Sequence, residues 1–414
     1  MGPGNSRLLT EEARAMLATA AVVFAAPRIA ATLISQEIVR QEAVRQMASL
    51  QDAMPQIAEM LQIAEMLPAG DVAAGDVAVC VSGDPGLYSL LGLLRRQIPE
   101  AEITVLSGIG SLQHLCDRLG ESREQAVVLS AHGRELEDGR LIGTVAGNTM
   151  TLLLLDTRRN PAWLCETLTS YGLGDVQVAV GEALSYPEET LVEGTAQELA
   201  VRTFHGLCAA RVRNDRPIPP PIGFGLRDEA FLRGEVPMTK SEVRAVILSR
   251  LAPEEGAIVW DIGAGTGSVS VECARMCRYG IVHALERDPE ALSLIERNRE
   301  KFSLRNLVIH AGSAPDALAE LPCPTHVFIG GSGGELPEVL RHIARRGGAV
   351  RVVVAAVTLE TAAMAASLLG VEPFREMELC QIGIARGRRA GAVHLMTAQN
   401  PVTLISAWTG GENI

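Results

Sequence analysis

Between Arg211 and Gly225 the chain reads RVRNDRPIPPPIGFG, with Pro217, Pro219, Pro220 and Pro221 falling within five positions. Proline fixes φ and carries no N–H, so this run forbids helix and ladder pairing and favours an extended, semi-rigid spacer. Regular apolar patterns occupy both sides. The chain is therefore expected to divide into a first domain at 1–212, a linker at 213–223 and a second domain at 224–414. A length of 414 residues allows each part its own core. An apolar share of 47% with 21% charge excludes disorder and collagen-like structure.

Both halves alternate apolar strands with helical stretches. In the first, Val77–Val81, Ile103–Leu106, Val127–Leu129, Met150–Leu155 and Val176–Val180 read as strands. In the second, the strand candidates are Ala257–Ile262, Ile281–Glu286, Val308–His310, Thr325–Ile329 and Ala349–Ala355, with helices at Val269–Met276 and Pro289–Lys301 between them. Such alternation implies α/β domains built on parallel sheets with helices on both faces. Two tandem duplications interrupt the first half: QIAEML at Gln56–Leu61 recurs at Gln62–Leu67, and AGDVA at Ala69–Ala73 recurs at Ala74–Ala78. Six extra helical residues rotate an apolar stripe by about 240°, so both copies cannot face one core. They read as an insertion at a surface helix end and loop.

Charge and cysteine usage remove several classes. A net charge of −12 argues against nucleic acid, which needs a basic face, yet a local arginine cluster still suits an anionic ligand. Only Lys240 and Lys301 among the 37 basic residues are lysine. The longest apolar stretch, Met16–Ala26, falls short of the roughly 20 residues of a membrane helix and reads as a buried amphipathic helix. The eight cysteines form no CxxC pair, which predicts no metal site and buried free thiols in a reducing cytoplasm.

The sharpest chemical signal is Trp260-Asp261-Ile262-Gly263-Ala264-Gly265-Thr266-Gly267-Ser268, set between an apolar strand and a helix. Alternate glycines let the backbone turn tightly and bring its N–H groups against a ligand. Glu286 falls at the carboxyl tip of the next strand, where doubly wound sheets bind ligands and a carboxylate can accept both hydroxyls of a ribose. The spacing is GxGxG, not the GxGxxG of dinucleotide sites, and Asp261 before it repels a pyrophosphate but suits a cationic ligand. Asp261, Gly263, Ala264, Gly265, Thr266 and Gly267 together are similar to the first motif of class I S-adenosylmethionine methyltransferases. In that family the loop Ala311-Gly312-Ser313-Ala314 would meet the adenine, with Ser313 where many members have Asp. Phe328-Ile329-Gly330-Gly331-Ser332-Gly333-Gly334 would line the methyl-transfer cleft.

PMTKSEVR at Pro237–Arg244, with WDIGAGTGSVSVE and FIGGSGG, resembles the precorrin C15-methyltransferase/decarboxylase domain of cobalamin biosynthesis, over nearly all of 224–414. The resemblance implies that Thr239 joins Gly263–Gly267, Glu286 and Ala314 in binding S-adenosylmethionine. Arg244, Gly330 and Gly331 are candidates for the substrate, and no metal is implied. The first half carries Gly2-Pro3-Gly4, VSGDPGLYS at Val81–Ser89, SGIGS at Ser107–Ser111, SAHGR at Ser130–Arg134, DTR at Asp156–Arg158 and VGEALSYPEE at Val180–Glu189. These look like the tetrapyrrole (class III) methyltransferase family in its C5 branch, with Gly83 and Asp84 as cofactor-binding candidates. The fused order resembles the precorrin C5,15-methyltransferase (decarboxylating) family.

In the tetrapyrrole methyltransferase fold the GPG turn follows an apolar first strand; here Gly2 directly follows Met1, so a first domain without that strand is expected. His132 in its Gly-flanked turn reads more simply as a solvated residue than as a base, and no catalytic residue is assigned. Arg134, Arg386, Arg388 and Arg389 read as solvated charges.

Methyl transfer needs no enzyme nucleophile when an electron-rich carbon attacks; alignment at about 3–3.5 Å can supply roughly 7–11 kcal/mol. The resemblance implies methylation of a tetrapyrrole at carbons 5 and 15 with loss of carbon dioxide from the ring C acetate, the macrocycle serving as electron sink. It also implies a cytoplasmic homo-oligomer. An alternative keeps only the second half active and makes the first a docking module. A nicotinamide oxidoreductase is disfavoured by the loop spacing and Asp261.

Overall fold

The computed structural model describes residues 4–48, 50–66, 76–218 and 224–410. Pro219, Pro220 and Pro221, the heart of the expected spacer, lie outside the described residues, as do Gly2 and Pro3. In order, the elements are α1 (Glu11–Thr19), β1 (Val22–Ala25), α2 (Pro27–Ser35), β2 (Val44–Gln46), α3 (Leu50–Met66), β3 (Val77–Cys80), α4 (Leu91–Gln97), α5 (Ser111–Leu119), β4 (Ala126–Ser130), α6 (Asp138–Gly147), β5 (Met150–Leu154), α7 (Pro161–Ser170), β6 (Gln177–Glu182), β7 (Thr190–Thr195), α8 (Ala196–Leu199) and β8 (Cys208–Arg213). They continue with α9 (Ser241–Leu251), β9 (Ile258–Ile262), α10 (Ser268–Met276), β10 (Ile281–Glu286), α11 (Pro289–Lys301), β11 (Leu307–Ala311), β12 (His326–Ile329), α12 (Leu336–Arg345), β13 (Val350–Ala356), α13 (Leu359–Leu369), β14 (Phe374–Ile382), β15 (Ala385–Ala390), β16 (Val393–Ala398) and β17 (Val402–Thr409). Two compact units result, Met1–Glu135 with Thr149–Asp215, and Leu136–Asn148 with Arg216–Ile414.

The first unit holds two sheets. One is parallel, in the order β2-β1-β3, with β1 in the middle. Along β1 the side chains alternate: Val23 and Ala25 join a cluster with Leu33 and Ala78, while Phe24 packs with Met47 and Ile57. The other sheet runs β4-β5-β8-β6-β7; only β4 and β5 are parallel, and the remaining neighbours are antiparallel.

Several sequence expectations change here. Met16–Ala26 is not one helix: α1 ends at Thr19 and β1 begins at Val22, because β-branched Val22 and Val23 fit the centre of a sheet. Ile103–Leu106 forms no strand; Thr104 and Val105 are both exposed, so the run has no alternating buried face to pair with. The all-parallel sheet expected for this half is mixed, because β8 returns antiparallel between β5 and β6. Arg211–Arg213, placed at the start of the proline-rich break, belongs to β8. Arg211 is buried there against Glu121 (2.8 Å). Of the duplicated segment, Gln56–Leu61 lies in α3 with Ile57 buried; the second copy's side chains up to Met66, and residues 67–75, lie outside the described residues. Among the cysteines, Cys323 is exposed and Cys208 and Cys380 are half-buried, so not all eight are core thiols.

The second unit has one seven-stranded sheet, β11-β10-β9-β12-β13-β17-β14, parallel except for the pairings of β17. Val259 packs on one face with Val271, Val282 and Ile247, while Trp260 and Ile262 pack on the other with Val327, Leu340 and Ile343. Strand order reverses between β9 and β12, and it is beyond the carboxyl ends at such a switch point that doubly wound sheets bind ligands. Helix α11 shows why these elements form where they do. Asp288 caps it by accepting the Glu290 and Ala291 N–H groups, Pro289 presets its first turn, and Ala291, Leu294 and Ile295 give the buried stripe. β15 and β16 form a separate hairpin between β14 and β17, a feature the sequence reading did not contain.

Candidate active site

At the switch point of the second unit, Gly263, Gly265 and Gly267 all adopt positive φ, at 71°, 56° and 73°. A side chain at Gly263 would place its Cβ 2.4 Å from the Gly331 carbonyl oxygen, so the loops after β9 and β12 meet at glycine because nothing larger fits. Both Gly330 and Gly331 donate to the Ile262 carbonyl (2.9 and 3.3 Å). The Pro237 carbonyl lies 3.4 Å from the Cβ position of Gly265, which sets the segment containing Thr239 beside the loop.

Glu286, at the tip of β10, accepts the Gly265 N–H on Oε2 (2.9 Å) and those of Arg287 (2.7 Å) and Asp288 (3.0 Å) on Oε1. An ionised carboxylate offers about four acceptor sites, so about one remains, on Oε2, for a ligand hydroxyl. The sequence reading expected two. Gly312 donates to the Glu286 carbonyl (2.9 Å), which brings the loop carrying Ser313 and Ala314 to the same strand tips. Ser313 is exposed there and Ala314 is half-buried.

Asp261 is 0% exposed, accepts the Ser270 hydroxyl on Oδ2, and has no partner for Oδ1. Burial pushes its carboxyl up to about 7, against the pull of Ser270. The fixed anion expected before the loop is therefore a carboxyl whose ionisation burial opposes. Thr266 Oγ1 is a second buried polar atom without a partner. Two orphaned polar atoms beneath a glycine loop fit a site that completes its hydrogen bonds with a ligand.

Arg244 departs from expectation. Its side chain is 0% exposed and is committed to Asp228 (2.9 Å), Glu272 (3.4 Å) and the carbonyls of Thr239 (2.6 Å) and Leu226, with Phe231 under the guanidinium. It cannot reach a substrate, and it holds the Thr239 segment in place. Removing one partner of such a buried pair costs about 3–5 kcal/mol. Arg386, read as a solvated charge, pairs with Asp228 (2.9 Å) and Glu242; that pairing holds the Glu242 carboxyl down at about 2.

The first unit has a cavity of about 440 Å³ lined by the Gly83 loop, the Gly110 turn, His132 and the Ala183–Tyr186 turn. Gly83 has φ 81°, and a Cβ there would lie 3.5 Å from Gly110 Cα. Asp84 is exposed and accepts the Gly86 N–H (2.7 Å), so its carboxylate shapes its own loop. His132 Nδ1 faces the Leu155 carbonyl (3.1 Å). Burial alone would raise the Asp156 carboxyl, but the N–H groups of Arg159, Gly133 and Arg158 outweigh it and hold Asp156 below its ordinary value.

Three non-glycine residues on or next to this cavity wall have positive φ: Tyr88 (51°), Ala183 (45°) and Ser185 (68°). Such conformations cost about 1–3 kcal/mol each and persist where surrounding contacts hold them. Glu189 supplies much of the hold, accepting from the Ser185 N–H, from His114 (3.0 Å) and from Arg118 (2.7 Å). Tyr186 and Glu189 fall within the VGEALSYPEE motif, which by itself assigns them no role. Arg28, which also lines the cavity, was missed; its signal was a cation placed just after the apolar run of β1.

A glycine loop at the switch point of a 3-2-1-4-5-7-6 sheet, counted in strand order from β9 with β17 as the seventh strand, defines the second unit as a Rossmann-like methyltransferase domain. Residues 229–409 match the family described as "Precorrin methyltransferase domain", and residues 1–200 match "Tetrapyrrole (Corrin/Porphyrin) Methylases". A Sinorhizobium precorrin-6Y C(5,15)-methyltransferase [decarboxylating] is 34% identical over 340 residues, covering 80% of this chain and 79% of that protein. The chain belongs to the family of these two-domain precorrin-6Y C(5,15)-methyltransferases. A probable cobalt-precorrin-6B C(15)-methyltransferase (decarboxylating) of Pyrobaculum calidifontis is 46% identical over 187 residues, 44% of this chain and 95% of its own. A crystal structure named precorrin-6Y C5,15-methyltransferase, from Geobacter metallireducens, is 38% identical with a TM-score of 0.43, covering 45% of this chain and 97% of that one. No helix among the described residues is long and apolar enough to cross a membrane.

Proposed function

We propose that this chain methylates precorrin-6B at carbons 5 and 15, using S-adenosylmethionine, with decarboxylation of the ring C acetate to give precorrin-8X. The observation that carries this reading is the similarity to the Sinorhizobium enzyme across both units of one chain, joined to a glycine loop whose Gly265 N–H is held by Glu286.

The residues of the second unit suit the cofactor. Glu286 keeps an acceptor for a ribose hydroxyl, and Gly263, Ala264, Gly265, Thr266 and Gly267 give a backbone surface without side chains in the way. The unpartnered atoms of Asp261 and Thr266 provide polar contacts for its amino acid end. Ser313 and Ala314 follow Gly312 at the tip of β10, Thr239 follows the Pro237 carbonyl that lies beside Gly265, and Gly330 and Gly331 leave room for the macrocycle. Bound there, S-adenosylmethionine supplies an electrophilic methyl carbon. The protein's part is to orient the ligands and exclude water, which accounts for a site without a dedicated nucleophile. In the first unit, Gly83 and Asp84 border a cavity of about 440 Å³ that suits the second cofactor. A homo-oligomer completes the reading.

The test is mass spectrometry of the product after incubating the full chain with precorrin-6B and excess S-adenosylmethionine. Gain of two methyl groups with loss of carbon dioxide is expected. Gain of one methyl with that loss would leave the first unit as a docking module, and unchanged substrate would overturn the assignment.

A further inference from the structure

The first unit's cavity has two polar side chains that nothing so far employs. Arg28, in the first turn of α2, and Tyr186, in the turn held by Glu189, both line it. The Arg28 guanidinium carbon lies 4.6 Å from the centre of the Tyr186 ring. Among the described residues that guanidinium makes no ion pair or hydrogen bond. The Tyr186 hydroxyl is buried and unpartnered. Gly4 packs against the ring, since a Cβ there would fall 1.9–2.0 Å from ring atoms.

An unpaired guanidinium stacked on a phenol presents forked N–H donors beside one O–H donor, the complement of a carboxylate. The electrostatics agree. Ala26 leaves the start of α2 without a side-chain cap, so the positive end of the helix adds to the same field. The carboxylate that acts on this pair is Glu188, which opposes the effect of Arg28 on Tyr186. Asp84 is turned onto its own loop through Gly86, Asp156 is used by three backbone N–H groups, and Glu189 is committed to His114 and Arg118. Ile29, Leu184 and Leu207 give the same cavity apolar lining.

We propose that Arg28 and Tyr186 form a carboxylate-binding subsite of the first unit's cavity. It rests on the reading that this unit handles S-adenosylmethionine and a polycarboxylate macrocycle. The carboxylate belongs either to the cofactor's amino acid end or to an acetate or propionate arm of the macrocycle. The subsite holds the ligand by charge-assisted bonds and takes no part in bond making.

The experiment uses the full chain and two probes that bind without turnover: S-adenosylhomocysteine, titrated against 5′-methylthioadenosine, which lacks the carboxylate, and uroporphyrin, which carries only carboxylate arms. Arg28→Gln, at an exposed position, is expected to fold and to weaken one of the two carboxylate probes by about 10- to 100-fold. Tyr186→Phe keeps the ring against Gly4 and should cost a smaller factor, up to about 10-fold. The double variant should lose less than the product of the two, because both side chains grip one group. Loss confined to S-adenosylhomocysteine names the cofactor as the source, and loss confined to uroporphyrin names the macrocycle. Unchanged affinity for both in Arg28→Gln overturns the proposal. Should the wild type transfer only one methyl group, the reading of the first unit fails separately, since these titrations do not depend on turnover.

Discussion

The two units build their candidate sites by different routes. In the second, one regular sheet carries a switch point, and a single loop after β9 supplies most of the site. Three glycines with positive φ absorb the backbone's conformational demands there. In the first, two small sheets leave a cavity walled by separate turns, and Tyr88, Ala183 and Ser185 carry positive φ without being glycine. One site is preformed by the topology of its sheet. The other is held together by side chains such as Glu189, which makes it the easier of the two to loosen.

The largest effect should come from closing the second unit's candidate site. Gly263→Val places carbon atoms where the Gly331 backbone lies and forces a β-branched residue to φ 71°. It should abolish the carbon 15 methylation and decarboxylation, a drop of at least about 100-fold, while product masses still show one added methyl from the first unit. Loss of both methylations would join two sites that the account keeps apart. Next, Glu286→Gln removes the charge that holds the Gly265 N–H. At about 1.5–3 kcal/mol for a charged hydrogen bond, the KM for S-adenosylmethionine in the carbon 15 reaction should rise about 10- to 100-fold. The check is KM measured against kcat, and an unchanged KM would remove Glu286 from the cofactor site.

Glu189→Gln sharpens the contrast from the other side. It should slow carbon 5 methylation about 10-fold and leave carbon 15 untouched, because it frees a turn and not a ligand. Although burial alone would raise it, the Ser185 N–H and His114 hold the Glu189 carboxyl below its ordinary value of 4.5. The stability it contributes is therefore present above that value and lost as pH falls through the folded-state value, so wild type and variant should converge in Tm at acid pH. The last effect concerns Asp261 and is read in stability, not in turnover. Burial raises its carboxyl from 3.8 to about 7, so the folded state resists its ionisation, and this group costs stability progressively as pH rises across that interval. Asp261→Asn should flatten the fall in Tm between pH 4 and 7 (roughly the interval between the two values). A parallel decline in both proteins would assign the pH dependence elsewhere.

How far the sequence revealed each site follows from the same difference. Strand β10 and the start of helix α11 carried their boundaries openly, because Gly280 precedes the strand and Asp288-Pro289 opens the helix. The glycine loop and Glu286 were legible for the same reason: a strand, a loop and a strand tip lie close together in the chain. Arg244 was misjudged because a motif gives a residue's company and not its burial; only packing shows it walled in by Asp228 and Glu272. In the first unit, Arg28 and Tyr186 lie 158 positions apart and meet only once the chain is folded. Helix α5 and strand β8 illustrate the remaining gap. Their sequences fit their elements, yet no local pattern announces that β8 returns between β5 and β6 and turns a parallel sheet into a mixed one.

If one chain holds two independent cofactor sites, they can be counted. Calorimetric titration of the full chain with S-adenosylhomocysteine should give two sites per chain, and the same titration of Gly263→Val should give one. A single site in the wild type, lost in Gly263→Val, would contradict the account and leave the first unit without a cofactor of its own.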